Sequence, residues 1–153
     1  MRLSIAAPVV LFVAATTVAA PLSNQAALRI MHQRHEGMEA VGKANKMLRR
    51  EITSDAPDIA AIRSSAARMA SLAAKSGKWF PKGTGPEVGK TGAQPEIWQK
   101  PSDFAARVRD FQSASRALHQ AAVRGRMAEV KASYGRLGGT CKACHDTYRK
   151  EMH

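Results

Sequence analysis

Aromatic residues are scarce in this chain, at 5% of its 153 residues, and that shortage excludes a core built mainly on large rings. Cysteine is nearly absent too: there are only two, so a disulfide-dense scaffold is ruled out and one bridge is the most that thiol pairing could supply. Acidic residues are few, with 12 Asp and Glu against 24 Lys and Arg, a formal net charge of +12. Such a field suits an acidic protein partner, an anionic membrane surface or nucleic acid. The basic residues are dispersed rather than run together, and a solvated surface with no dedicated partner is the simpler alternative. Long hydrophobic runs are missing after the first twenty residues, so no stable membrane insertion is expected of the remainder.

The opening segment MRLSIAAPVVLFVAATTVAA has a basic residue at Arg2, an apolar stretch from about Ile5 to Val18 and small residues at Ala19 and Ala20. That is the layout of a secretory signal peptide spanning 1–20, cleaved near Ala19 or Ala20. A retained anchor is the rival reading, but Pro8, Thr16 and Thr17 interrupt the run. Export makes nucleic acid the least suitable partner. Residues 21–153 are then enough for one domain with a single core.

Four segments of that domain show apolar residues stepping by three and four, the period of a helix that buries one face. The first stripe is Ala27, Met31, Arg34, Met38, Val41, Asn45, Leu48, Ile52. Asp55 and Pro57 mark the start of a second helix, since aspartate caps free N–H groups and proline fits a first turn. Its stripe is Ile59, Ile62, Ala66, Met69, Ala73, with Gly77 as the stop. From Gly77 to Pro101 glycine and proline are dense enough to defeat both helix and strand, which predicts a long loop, ordered by Trp79, Phe80, Ile97 and Trp98. Ser102 is placed to cap a third helix carrying Phe104, Val108, Phe111, Ser115, Leu118 and Ala122 and ending at Gly125. The fourth is expected from about Arg126 to Met152, with Met127, Val130, Tyr134, Leu137, Cys141, Cys144, Tyr148 and Met152 on its stripe. This pattern predicts an all-α fold, an antiparallel four-helix bundle.

Both cysteines fall in Cys141-Lys142-Ala143-Cys144-His145. On a helix, residues three and four apart share a face, so both sulfurs and the imidazole point into one space. Two thiols at this spacing, followed at once by histidine, are the pattern of covalent haem c attachment: the sulfurs add to the two vinyl groups and the imidazole reaches the iron. A thioredoxin-like pair has the same cysteine spacing but belongs at a helix N-terminus beside a strand. A structural zinc site needs further ligands nearby, and the other histidines are scattered. An alanine-rich bundle with few aromatics also leaves volume for one haem per chain.

The stretch GGTCKACHDTYRK near the C-terminus and a preceding loop containing PKGTG and PEIW resemble the class II c-type cytochromes, the cytochrome c′ family. The resemblance covers essentially the whole of 21–153. It implies one of two distal arrangements: an open five-coordinate site that binds nitric oxide or carbon monoxide, or a low-spin iron with a methionine from the first helix, suited to electron transfer. The segment IMHQRHEGMEAVGKA resembles the first helix of the low-spin members. That match places Met31 at the second axial position, with Met38 the second choice, although two methionines on one stripe are also ordinary core fillers. His32 and His35 lie off the stripe and are expected to face solvent, as are His119 and His153. Gly138 and Gly139 are placed to let haem or a neighbouring helix approach. Arg149 resembles the family's arginine at this place, able to shield His145 or pair with a propionate, and Arg34 needs a partner if buried, a propionate being one candidate.

The function expected from this reading is a periplasmic one-electron carrier, with a five-coordinate gas-binding cytochrome c′ as the alternative and a haem partner of a larger redox enzyme as a third. No acid, base or nucleophile is arranged around a substrate, so no enzyme is expected. An acidic redox partner and, by resemblance, a homodimer complete the expectations.

Overall fold

The computed structural model describes residues 22–150. The predicted signal peptide, Met152 and His153 therefore lie outside the described residues. The chain forms α1 (Asn24–Ile52), α2 (Ile59–Ser76), a one-turn α3 (Glu96–Gln99), α4 (Pro101–Arg124) and α5 (Met127–Tyr148). The four long helices make the expected bundle. None of the described helices is long and apolar enough to cross a membrane.

Local chemistry sets the ends, with some corrections to the expected boundaries. Ser23 caps α1 by accepting from the Ala26 N–H. The α2 cap is Asp58 rather than Asp55 with Pro57, its carboxylate accepting from the N–H groups of Ala60 and Ala61. Glu51 explains the shift: its carboxylate is paired with Arg50 and accepts the Asp58 N–H at 3.1 Å, which fixes the turn into α2. α4 starts at Pro101 with no side-chain cap, so Ser102 is not the capping residue. Proline needs no N–H partner in a first turn. Gly125 ends α4 at φ 73°, the left-handed conformation that glycine adopts without strain.

The loop from 77 to 100 is ordered, and the PEIW stretch holds the one helical turn that its proline and glycine content hid. α5 stops at Tyr148, not near Met152. Arg149 turns extended and bridges antiparallel to Ala93, with the Gln94 N–H donating to the Tyr148 carbonyl and the Lys150 N–H to the Gly92 carbonyl. The loop thus takes over the C-terminal hydrogen bonds that further helix would have used.

The core comes in two parts. One is shared by all four long helices and contains Ala44, Leu48, Ile52, Ile62, Ala66, Met69, Leu118, Ala121, Ala122, Val130 and Leu137. The other gathers Ile97, Phe104 and Tyr148, with Phe80, Ala93, Trp98 and Val108 against them. Its rings meet edge to face, Phe80 to Phe104 at 4.9 Å and Phe104 to Tyr148 at 5.2 Å between centroids, a geometry that aromatic quadrupoles favour.

Candidate functional site

Cys141 and Cys144 stand where the two parts of the core come apart. Cys141 packs on the four-helix part and Cys144 on the aromatic part, and both are half-buried, unpaired thiols. On α5 no residue is buried between Leu137 and Tyr148, and on α1 none between Arg34 and Ala44. α1 and α5 meet at few points, chiefly where the Tyr134 hydroxyl donates to Asn45 Oδ1 at 3.0 Å. A slot between these two helices therefore has the cysteines in its wall.

The electrostatics separate the rival readings of the motif. Burial pushes both thiols up, and Cys141 adds to the effect on Cys144. A redox-active pair needs the opposite shift, so that one sulfur is a thiolate near neutral pH. His145, next in sequence to Cys144, is exposed, and desolvation by its surroundings followed by the nearby Arg149 charge holds its pKa below the usual range. That direction favours the neutral imidazole, the form that ligates a metal. Among the described residues no three His, Cys, Asp or Glu side chains converge as zinc would require.

The two glycines before the motif do different things. A Cβ on either would meet no protein atom within 4 Å, so neither lets a neighbouring helix approach. Gly138 precedes Cys141 by three residues and His145 by seven and shares their side. Gly139 instead lines an open groove of about 440 Å³ between α4 and α5, together with Arg107, Arg136 and Thr140.

Arg34 is buried, as its place on the stripe suggested, but its hydrogen bonds run to the loop and not into the slot. It donates to the Thr84 hydroxyl at 3.1 Å, the Thr84 carbonyl at 2.9 Å, the Thr91 hydroxyl at 3.2 Å and the Trp79 carbonyl at 3.3 Å, and its guanidinium lies 5.0 Å from the centre of Phe80. This clamp was hidden in the sequence; the only signal for it was an arginine inside an apolar stripe. Gly37 allows the loop to close, since a Cβ there would sit 2.7 Å from the Trp79 ring. The Tyr148 hydroxyl, donating to Asp103 Oδ2 at 2.6 Å, ties α5 to α4 beside Cys144. His32 and His35 face solvent as expected, against Glu36 and Glu39, whereas His119 is half-buried on α4.

A four-helix bundle with two free thiols and an adjacent histidine late in its last helix defines a class II c-type cytochrome, and the residues present fit a haem c. The cytochrome c′ family model matches residues 29–149, and the chain belongs to that family. It is 36% identical over 124 residues to cytochrome c′ of Pararhodospirillum photometricum, covering 81% of this chain and 90% of the relative. Cytochrome c-554 of Cereibacter sphaeroides is 35% identical over 112 residues, covering 72% and 82%. Among solved structures, cytochrome c′ from Thermochromatium tepidum superposes with TM-score 0.76 at 27% identity, over 86% of this chain and all of that one. Members of the family bind one covalent haem c per chain and serve as electron-carrying or gas-binding haem proteins.

Proposed function

We propose that Cys141 and Cys144 hold the haem through thioethers, that His145 is one axial ligand, and that the distal face binds a small diatomic gas such as nitric oxide or carbon monoxide. Haem supplies reversible one-electron chemistry and ligand binding at its iron; the chain's residues anchor it, exclude water and shape the face opposite His145.

The observation that supports a distal face free of Met31 is the helix register. α1 and α5 run antiparallel, and the Tyr134–Asn45 hydrogen bond makes those residues level. Met38 lies seven residues before Asn45 and Cys141 seven after Tyr134, so Met38 is level with the attachment site. Met31 falls level with Tyr148 instead, about 10 Å further along at 1.5 Å per residue. It is buried under the loop with its methyl close to Gly89. This register supports Met38, the second choice by resemblance, over Met31 as the α1 residue facing the proposed haem. Solved variants of cytochrome c′ from Alcaligenes xylosoxidans with nitric oxide and with carbon monoxide support the gas-binding reading over the carrier.

One observation favours the second reading, a one-electron carrier. Met38 is 37% exposed and has a thioether at the right level, able to close the sixth position. Optical spectra of the purified holoprotein, with and without carbon monoxide, decide between the two. A high-spin ferric spectrum, and a ferrous form that binds carbon monoxide whether or not Met38→Ala is present, support gas binding. A low-spin spectrum with the ferric sulfur-to-iron band, lost in Met38→Ala and kept in Met31→Ala, overturns it in favour of the carrier. We extend to this chain a periplasmic location, a role other than catalysis, and a homodimer. One solved cytochrome c′ at 27% identity is described as having a ligand-controlled dimer dissociation; sedimentation with and without carbon monoxide tests the pairing.

A further inference from the structure

We infer that the rim of the slot between α1 and α5 is the docking surface for an acidic electron-transfer protein. The inference rests on haem attachment at Cys141 and Cys144, and holds for either occupant of the distal face.

Helical spacing puts Lys131, Gly138, Lys142 and His145 along one side of α5, and Arg149 follows its last residue in extended backbone. The facing side of α1 carries Met38, Gly42, Asn45, Lys46 and Arg49. The register set by Tyr134 and Asn45 brings Lys46, Arg49 and Lys131 together at one end of the slot, and the charge of Arg49 is felt at the Tyr134 hydroxyl. Arg149 and Lys150 stand at the other end.

The ion pairs leave this rim positive. The nearby carboxylates are already engaged, Glu39 with Lys43 and His35, and Asp146 with Lys142. Lys46, Arg49, Lys131 and Arg149 have no carboxylate within ion-pair distance among the described residues. Between the two basic ends three positions present backbone rather than side chain, because a Cβ at Gly42, Gly135 or Gly138 would meet nothing within 4 Å. A partner can therefore approach the helix backbones at these glycines, which shortens the path an electron must cross.

Charge complementarity selects the occupant. A second copy would oppose like charges across this face, whereas an acidic protein is steered to it and held in register. Of the exposed large apolar side chains Leu22, Leu28, Met38 and Val123, only Met38 lies here, so the face offers an anionic membrane little to bury. In the exchange one electron leaves the reduced partner, which is oxidised, and ferric haem becomes ferrous; no bond is made or broken.

The test uses mature holoprotein and reduced plant-type ferredoxin as the acidic probe, with stopped-flow reduction at low and high salt. The triple variant Lys46→Glu, Arg49→Glu, Lys131→Glu is compared with Arg68→Glu, Lys75→Glu, Arg116→Glu, which makes the same change in net charge on exposed positions of α2 and α4. The rim variant should slow reduction at least ~10-fold at low salt and flatten its salt dependence, while the control changes it less than ~3-fold. Equal slowing by both sets, or none by the rim set, overturns the assignment. So does a rim variant that loses binding to phosphatidylglycerol vesicles with its ferredoxin rate intact. Optical spectra of each variant read the haem site separately, so failure here is distinguishable from failure of the gas-binding reading.

Discussion

Near the turn from α1 to α2, Leu48, Ile62, Met69 and Leu118 are closed off from solvent and touch across helices. Further along the bundle, α1 and α5 keep their helical form but bury nothing between Arg34 and Ala44 or between Leu137 and Tyr148. The first region is filled by its own side chains. The second is framed by a clamped loop, an aromatic cluster and two cysteines, and its apolar residues Val41, Cys141 and Cys144 are only partly buried. Bundles of small residues pack closely only where every face meets another, so the contrast locates the volume that a large cofactor would take.

The strongest way to break the contrast is to remove the anchors. Cys141→Ser with Cys144→Ser should abolish the haem that stays with the chain after denaturing electrophoresis, while the circular dichroism of the remaining bundle stays helical. Retention of the haem stain would refute attachment at this motif.

A smaller effect is expected from opposite ends of the comparison. Leu118→Ala opens a cavity in the filled region and should cost about 2–5 kcal/mol in chemical denaturation. Met38→Ala, in the slot, should cost less than about 1 kcal/mol in the haem-free chain. Equal losses would mean that the slot is packed like the core.

The loop clamp comes next. Arg34→Leu leaves the Thr84 and Trp79 carbonyls without their donor and should cost about 1–3 kcal/mol. Amide exchange should quicken chiefly across 79–91, with the four-helix core little changed.

The smallest effect is in alkali. Burial and then the Asp103 carboxylate push Tyr148 up to about 12. A raised tyrosine pKa means that the folded form holds the proton more tightly than the unfolded chain. The stability this gives is complete below the ordinary tyrosine value near 10 and is lost as pH rises from there through about 12. Tyr148→Phe should flatten that alkaline decline; an unchanged pH profile would argue that another group causes it.

Much of this was legible in the residues. The four stripes, the stops at Gly77 and Gly125 and the attachment pattern at 141–145 are short-range features, each set by spacing of three or four residues or by one backbone conformation. The starts of α2 and α4, the end of α5 and the turn at 96–99 were not legible, because distant groups decided them: the Glu51 carboxylate at Asp58 and the 92–94 backbone at Tyr148 and Lys150. Arg34 could be recognised as needing a partner, but not as binding Thr84 and Thr91, fifty and more residues away.

The methionines show the same division. The sequence by itself determined that two methionines and a pair of cysteines fall on the stripes of two separate helices, since periodicity is a property of each helix alone. Only the tertiary structure decided how the levels of α1 correspond to those of α5, because that offset is set by a contact between helices, Tyr134 to Asn45, and no spacing within either helix encodes it.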